Sequence, residues 1–436
     1  MKMEKLRLGV AREVITPEVG GQLYGYRPDV FSKTVEDDLT VSAFYFRQGN
    51  TQALMLSVTV CLLQTQLAQE ILALVEQRFG IPKKYCMLSA THTHSGPNTA
   101  GASGWGDIDR KYCDEILIPK LMAAVETAKN NLQTVKMGTA SGDSLVGINR
   151  RELNRDNRVV LGQNPWGCFD SRMTVISFVN EQGEPVANMI HYGAHGTAAG
   201  TNTEITRDWS GIMVDTLERQ SGAMTAFFNG PEGDVGPRLS NKATTGDIRY
   251  VRELGGIAAQ DAVRIYDRIF SYADVNLATS EKTIRIPLKK RMPFDEAVRR
   301  FEDYKNQTVN LAALIKTHLA DVIRSYEEGF ADLDELELSQ TAIALGDVVF
   351  VAFPYELFSE VGMRIDSAFK TKRVLSLSNT NGSESYVVTQ DAICRGGYEV
   401  DMFLYGHIQP FCDDADFCLM QGTVEHINTM TNESEE

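Results

Sequence analysis

The chain has 436 residues, a net charge of −15 and a pI near 5.1, which argues against nucleic acid or an anionic membrane surface as its main partner. At 43% hydrophobic and 23% charged, without low-complexity tracts, it has the composition of a globular protein with a large core. No run of about 18 apolar residues occurs, so no transmembrane segment is expected.

The first ten residues lack the apolar core of a signal peptide. The cysteines at 61, 86, 113, 168, 394, 412 and 418 are odd in number, scattered and without a CxxC pair. Both features predict reduced thiols and a cytoplasmic location. Residues 6–16 alternate apolar and polar and predict a strand, followed by a glycine-rich loop. Residues 40–47 and 53–60 flank Gly49-Asn50, a hairpin signal. A helix is predicted from Leu67 to Phe79, ended by Gly80-Ile81-Pro82, and a buried strand closes at Leu88.

That strand runs into Ser89-Ala90-Thr91-His92-Thr93-His94-Ser95-Gly96-Pro97, the stretch around which the rest is organised. In an extended chain, residues two apart share a face, so His92 and His94 are expected side by side at the strand end. Such a pair is a common start for a zinc site, although two loop histidines with hydrogen-bonding roles would read the same way.

Further on, residues 111–130 and 208–220 predict helices, and 134–140, 172–179 and Met224 to Asn229 predict strands. His191 and His195 form a second cluster, but Gly193 between them argues against a helical pair, so one histidine at most is expected to reach a metal. Residues 294–328, within a segment of about 294–332, predict a charged helical hairpin packed on the outside, with His318 as a solvated surface residue. Strands resume at 341–352 and 373–378. Glu356 follows an apolar strand and is flanked by aromatics. It reads equally as a metal-bound or paired carboxylate and as a residue near a helix N-terminus. Tyr386, in the polar loop from Asn379 to Thr389, and Tyr398 carry a weaker signal.

Alternating strands and helices predict an α/β protein of mixed β-sheets, stacked and covered by helices. With neither repeat nor flexible linker, a single catalytic domain over 1–430 is expected, with the helical hairpin as an insertion and a frayed tail at 431–436.

The chain resembles the catalytic domain of the neutral (non-lysosomal) ceramidases, zinc-dependent amidases that cleave the N-acyl bond of ceramide. The resemblance rests on Gly9-Val-Ala-Arg-Glu-Val-Ile-Thr16, the stretch from Ser89 to Pro97, Asn149-Arg150 and Ala194-His-Gly-Thr197. It continues through Gly233-Asp-Val-Gly-Pro237, Tyr355-Glu356 and the loop carrying Tyr386, in the family's order. It implies a Zn2+ site at His92, His195, Glu356 and Tyr386, with His94, Arg150 and Tyr398 around the scissile amide. Two neutral imidazoles and a carboxylate leave zinc a labile position for water, whose pKa zinc lowers towards about 7. Arg150, Tyr398 and a protonated His94 would donate to the developing oxyanion.

Three departures qualify the match. Gly236 stands where the family has a serine proposed as a nucleophile, which excludes an acyl-enzyme there and suggests a turn glycine with positive φ. Neither the family's C-terminal immunoglobulin-like domain nor its export signal is expected from this sequence. The expected function is therefore zinc-dependent hydrolysis of an amide, with a small-molecule or lipid amide as partner. A soluble or non-ceramide amide is favoured over ceramide itself. A lactone or ester hydrolase, or a zinc-containing binding protein without turnover, uses the same residues.

Overall fold

The computed structural model describes residues 4–307 and 311–432. Its largest element is an eight-stranded sheet. The spatial order is Met224–Asn229, Pro185–Tyr192, Arg172–Asn180, Gln133–Asp143, Arg7–Val14, Thr40–Gln48, Thr51–Val58 and Cys86–Ala90. Pairing is antiparallel in the middle and parallel at both ends, where Ala187 meets Met224 and Leu54 meets Cys86. A second sheet of four strands runs Leu277–Pro287, Glu335–Leu345, Val348–Ala352 and Arg373–Leu377, and its last pair is also parallel.

The two sheets pack face to face. Phe44, Phe46, Met55, Phe178 and Phe228 of the large sheet share one buried core with Ile343, Leu345, Phe350 and Leu377 of the small one. Each fully buried side chain of this size contributes about 1.5–3 kcal/mol, which fixes the sheet-to-sheet stacking. Helices cover the outer faces. Thr65–Phe79 and Ile118–Asn130 bury leucine and valine stripes against one half of the large sheet, and Trp209–Ser221 and Ile248–Tyr266 cover the other half. Ser359–Ser367 and Ala415–Asn432 pack against the small sheet. The architecture is the predicted one, mixed sheets stacked and helix-covered.

Three details differ from the sequence reading. The apolar run 341–352 is two strands, because Gly346 (φ 59°) supplies a left-handed turn between Leu345 and Val348. His318 is buried, with its ring 5.2 Å from that of Tyr405. It sits in the helix Ala312–Glu327 on the same face as Ile315, Leu319 and Val322, which packs against Phe294–Tyr304. Finally, Ala415–Asn432 stays helical into the segment expected as a tail, while 433–436 lie outside the described residues.

The sheet ends place the chemistry. The histidine stretch follows Cys86–Ala90, His195 follows Pro185–Tyr192 and Glu232 follows Met224–Asn229. Glu356 follows Val348–Ala352, and Asn379 follows Arg373–Leu377. All five belong to parallel-paired strands and sit beyond their carboxyl ends, the usual location of a ligand site in an open α/β sheet.

Candidate active site

His92 and His94 lie side by side, their Nε2 atoms 3.3 Å apart, as the spacing predicts. The cause is not extended chain, however. The strand ends at Ala90, and His92 has φ 67°, a left-handed conformation rare outside glycine. The bend turns its ring under that of His195, with centroids 4.5 Å apart. Gly196 permits this approach, since a Cβ there would lie 2.8 Å from the His92 carbonyl oxygen.

The protonation of both rings follows from their neighbours. His92 Nδ1 lies 3.1 Å from the Cys61 carbonyl oxygen, and His195 Nδ1 lies 2.9 Å and 3.1 Å from the carbonyl oxygens of Glu232 and Val235. Carbonyls only accept, so each Nδ1 carries the proton and each Nε2 keeps a lone pair. Burial pushes both pKa values down to about 4, so the rings are neutral at pH 7. Both Nε2 atoms face Glu356 Oε2, at 3.5 Å from His92 and 3.2 Å from His195. That oxygen is buried and has no hydrogen-bond partner.

Burial opposes ionisation of Glu356, but the neighbouring His92 and His195, together with Arg150, hold its carboxyl well below the usual carboxylate range. Two imidazole lone pairs and a carboxylate oxygen thus converge with no proton between them. Repulsion among such atoms is relieved by a cation, and the set of two histidines and one carboxylate suits zinc. The ligand atoms lie within 4.8 Å of one another. A second grouping, Cys61 with His92 and His94, fits less well. His92 Nδ1 is committed to the Cys61 carbonyl, and burial keeps the Cys61 thiol protonated.

Tyr386 reaches the same spot because its short strand Tyr386–Val387 pairs with Glu356–Leu357, residue 386 opposite 356. Its hydroxyl accepts from Arg150 Nη2 at 3.0 Å. Burial and the Glu356 charge push its pKa well above the ordinary tyrosine value, so the phenol keeps its proton. Arg150 is itself buried. Its Nε donates to Glu399 Oε1 at 2.8 Å, its backbone N–H to Asp234 O at 2.8 Å, and its guanidinium carbon lies 5.8 Å from the ring centroids of both Tyr386 and Tyr398.

His191 goes elsewhere. Its ring nitrogen Nε2 lies 2.9 Å from the Ser376 carbonyl, so only His195 of that cluster joins the site, as Gly193 suggested. His94 departs from expectation in its charge: burial and His92 push its pKa down to about 3, so it is neutral rather than a cationic donor. Gly236 is not a turn glycine. It lies in the strand Val235–Pro237, paired with Ile148, and is absent from the positive-φ glycines among the described residues.

Three residues were missed from sequence. Glu232 is fully buried, accepts from Asn379 Nδ2 at 2.6 Å and has its Oε2 without a hydrogen-bond partner. Burial and the Glu356 charge push its carboxyl pKa well up. Its backbone oxygen holds His195, while Asn379, held by Glu232, packs beside the ring of His92. Glu399, next to Tyr398, binds Arg151 Nη1 at 2.6 Å as well as Arg150.

Above this floor opens a cavity of about 490 Å3 lined by His94, His195, Arg150, Tyr386 and Tyr398. Its walls add Tyr26, Trp105, Leu161, Thr197, Thr244 and the start of the helix at Leu311–Ala313.

Comparison with known proteins gives one answer. Neutral ceramidase B of Dictyostelium discoideum is 26% identical over 218 residues, 45% of this chain but 30% of that protein. Neutral ceramidase of Pseudomonas aeruginosa is 26% identical over 184 residues, 39% of this chain and 27% of that protein. The aligned stretches thus span less than a third of either relative. The crystal structure of the neutral ceramidase from Pseudomonas aeruginosa superposes with a TM-score of 0.75 at 19% identity, covering 97% of this chain and 74% of that one, so the fold is shared. The family described as neutral/alkaline non-lysosomal ceramidase, N-terminal, matches residues 6–249, more than half of the chain, and the protein belongs to that family.

Proposed function

We propose that the protein is a zinc-dependent hydrolase of an amide bond, favouring a soluble or non-ceramide amide over ceramide. The observation that carries this reading is the convergence of His92 Nε2, His195 Nε2 and Glu356 Oε2 beneath a cavity that His195 lines together with Arg150 and Tyr398. His92, His195 and Glu356 would hold the ion, with the Tyr386 hydroxyl alongside. Bound zinc supplies Lewis acidity, which polarises a carbonyl and acidifies water.

The remaining roles belong to the side chains. Arg150, fixed by Glu399 and Tyr386, keeps its positive charge beside the cavity. Burial pushes the Tyr398 pKa up, so its hydroxyl stays a donor at neutral pH. Both suit an oxygen whose negative charge grows in the transition state. His94 is neutral at rest, so it is able to accept a proton and return it to the leaving amine. With Gly236 in place of a serine, no side chain at that position forms an acyl-enzyme.

The test is a screen of amides from long-chain ceramides to small N-acyl compounds, with the best substrate then compared in wild type and Tyr398→Phe. Loss of one oxyanion donor typically costs about 10²–10³ in kcat, with KM little changed. Zinc content should stay the same. Binding without turnover by the wild type would defeat the hydrolase reading, and an unchanged kcat in the variant would remove Tyr398 from it.

A further inference from the structure

The helical pair Phe294–Tyr304 and Ala312–Glu327 is anchored at two places that border the cavity. On one side Ser103 Oγ lies 2.6 Å from Thr317 Oγ1. The adjacent Gly104 (φ 89°) packs so closely that a Cβ there would fall 2.9 Å from the Ala313 Cβ. On the other side Arg300 Nη2 donates to the Tyr405 hydroxyl at 2.6 Å, and His318 stacks edge-on against the same ring. Tyr405 ends the helix that begins with Tyr398, a residue lining the cavity. The pair therefore ties the loop around Trp105 to the Tyr398 helix, and its second helix supplies part of the wall through Leu311, Ala312 and Ala313.

Leu311 is the notable member. It has φ 64°, a conformation that crowds the Cβ of any residue but glycine. A left-handed leucine persists only where its surroundings hold it, and such residues concentrate at ligand sites. The wall it shares with Trp105 and Ala313 is apolar, whereas Thr197 and Thr244 add hydroxyl-bearing side chains. The volume of about 490 Å3 lies in the lower half of the roughly 300–1,000 Å3 range of pockets that enclose a drug-sized ligand.

Resting on the amidase reading above, we infer that the helical pair is the specificity element, with Leu311 and Ala313 setting the length of the apolar group accepted. The substrate class is an amide bearing one compact apolar group and a polar remainder, not a molecule with two long hydrocarbon chains.

Two zinc-loaded variants test this in opposite directions: Leu311→Ala lengthens the wall space and Ala313→Met shortens it. The probes are straight-chain carboxylic acids from acetate to palmitate, measured by calorimetry, and the matching N-acyl amides, measured by turnover. In the wild type each methylene that fits should tighten acid binding about four-fold until the wall is met, with an optimum short of palmitate. The optimum should move to longer chains in Leu311→Ala and to shorter ones in Ala313→Met. If Ala313→Met does not fold, Leu311→Ala decides alone. A wild type that binds palmitate tightest, or an optimum unmoved in Leu311→Ala, overturns the inference. Shifted acid binding without hydrolysis of any amide would leave the wall's role standing and defeat the amidase reading. Turnover with an unmoved optimum would do the reverse.

Discussion

At and beneath the floor of the cavity the rings of His195 and His92 are buried, and each has one nitrogen tied to backbone carbonyls. At the mouth, Leu161 is 46% exposed and Arg27 pairs only with the still more exposed Asp29 among the contacts described. The floor is made of strand ends cross-braced by Glu232, Asn379 and Glu399. The mouth is made of the loop around Trp105, the hairpin of Arg151–Leu153 with Val159–Leu161, and the helix start at Leu311–Ala313. The floor can therefore hold atoms to the fraction of an ångström that a metal and an oxyanion require, whereas the mouth has only to match the outline of a substrate. On the proposed function, chemistry belongs to the first region and substrate choice to the second.

The strongest way to break that division is to remove a floor residue. His195→Ala leaves His92 and Glu356 without their partner and should abolish zinc retention and turnover together. Elemental analysis after gel filtration reads the first and an amide assay the second. Because Trp209 Nε1 donates to the backbone oxygen of His195, not to its ring, the fold should survive the change. Full zinc content in this variant would mean that the three converging atoms are not the metal site. Chelating the metal from the wild type should reproduce the loss of activity reversibly.

A smaller effect is expected one layer further back. Glu232→Ala keeps the backbone carbonyl for His195 but removes the carboxyl oxygen that accepts from Asn379 and the carboxyl group next to Glu356. Loss of such an outer partner typically weakens metal affinity by about 10–100-fold. Competition with a zinc indicator measures it, and circular dichroism checks the fold. Unchanged affinity would reduce Glu232 to a buried bystander.

The two regions also differ in how far they could be read from sequence. His92 and His94 are neighbours in the chain, so their pairing was visible, although the left-handed turn at His92 that aims the ring was not. Glu356 was visible because an acidic residue among Phe353, Tyr355 and Phe358 has to be compensated. Glu232 had no such signal: it stands between Pro231 and Gly233, and nothing local says that its loop is buried. Its partner Asn379 lies 147 residues away. Glu399 was hidden similarly, since its arginines Arg150 and Arg151 lie 249 and 248 residues earlier in the chain. His318 was readable and misread, because it shares a helical face with Ile315 and Val322 at three- and four-residue spacing. The charge of His94 depends on enclosure, which no local pattern reports.

The least expected effect comes where floor and wall meet, at Gly236. Sequence alone suggested a turn glycine, at which serine would strain the backbone. In the strand Val235–Pro237 no such penalty applies. A Cβ at this position would instead lie 3.3 Å from both Arg150 Cβ and Thr244 Cγ2, closer than comfortable contact. Thr244 is only partly buried and able to yield, while Arg150 is held on three sides by Glu399, Tyr386 and Asp234 O. The added atoms should therefore push Thr244 outward, towards the wall, and leave Arg150 in place. Gly236→Ser is expected to fold with at most a modest fall in Tm, to keep its zinc and to retain kcat within a few-fold. Any change should appear in KM, because Thr244 lines the cavity. No acyl adduct should appear on the new serine by mass spectrometry after a substrate quench. A large fall in kcat at constant KM would mean that Arg150 moves more easily than its three contacts imply, and the rigid floor would then extend less far than the structure suggests.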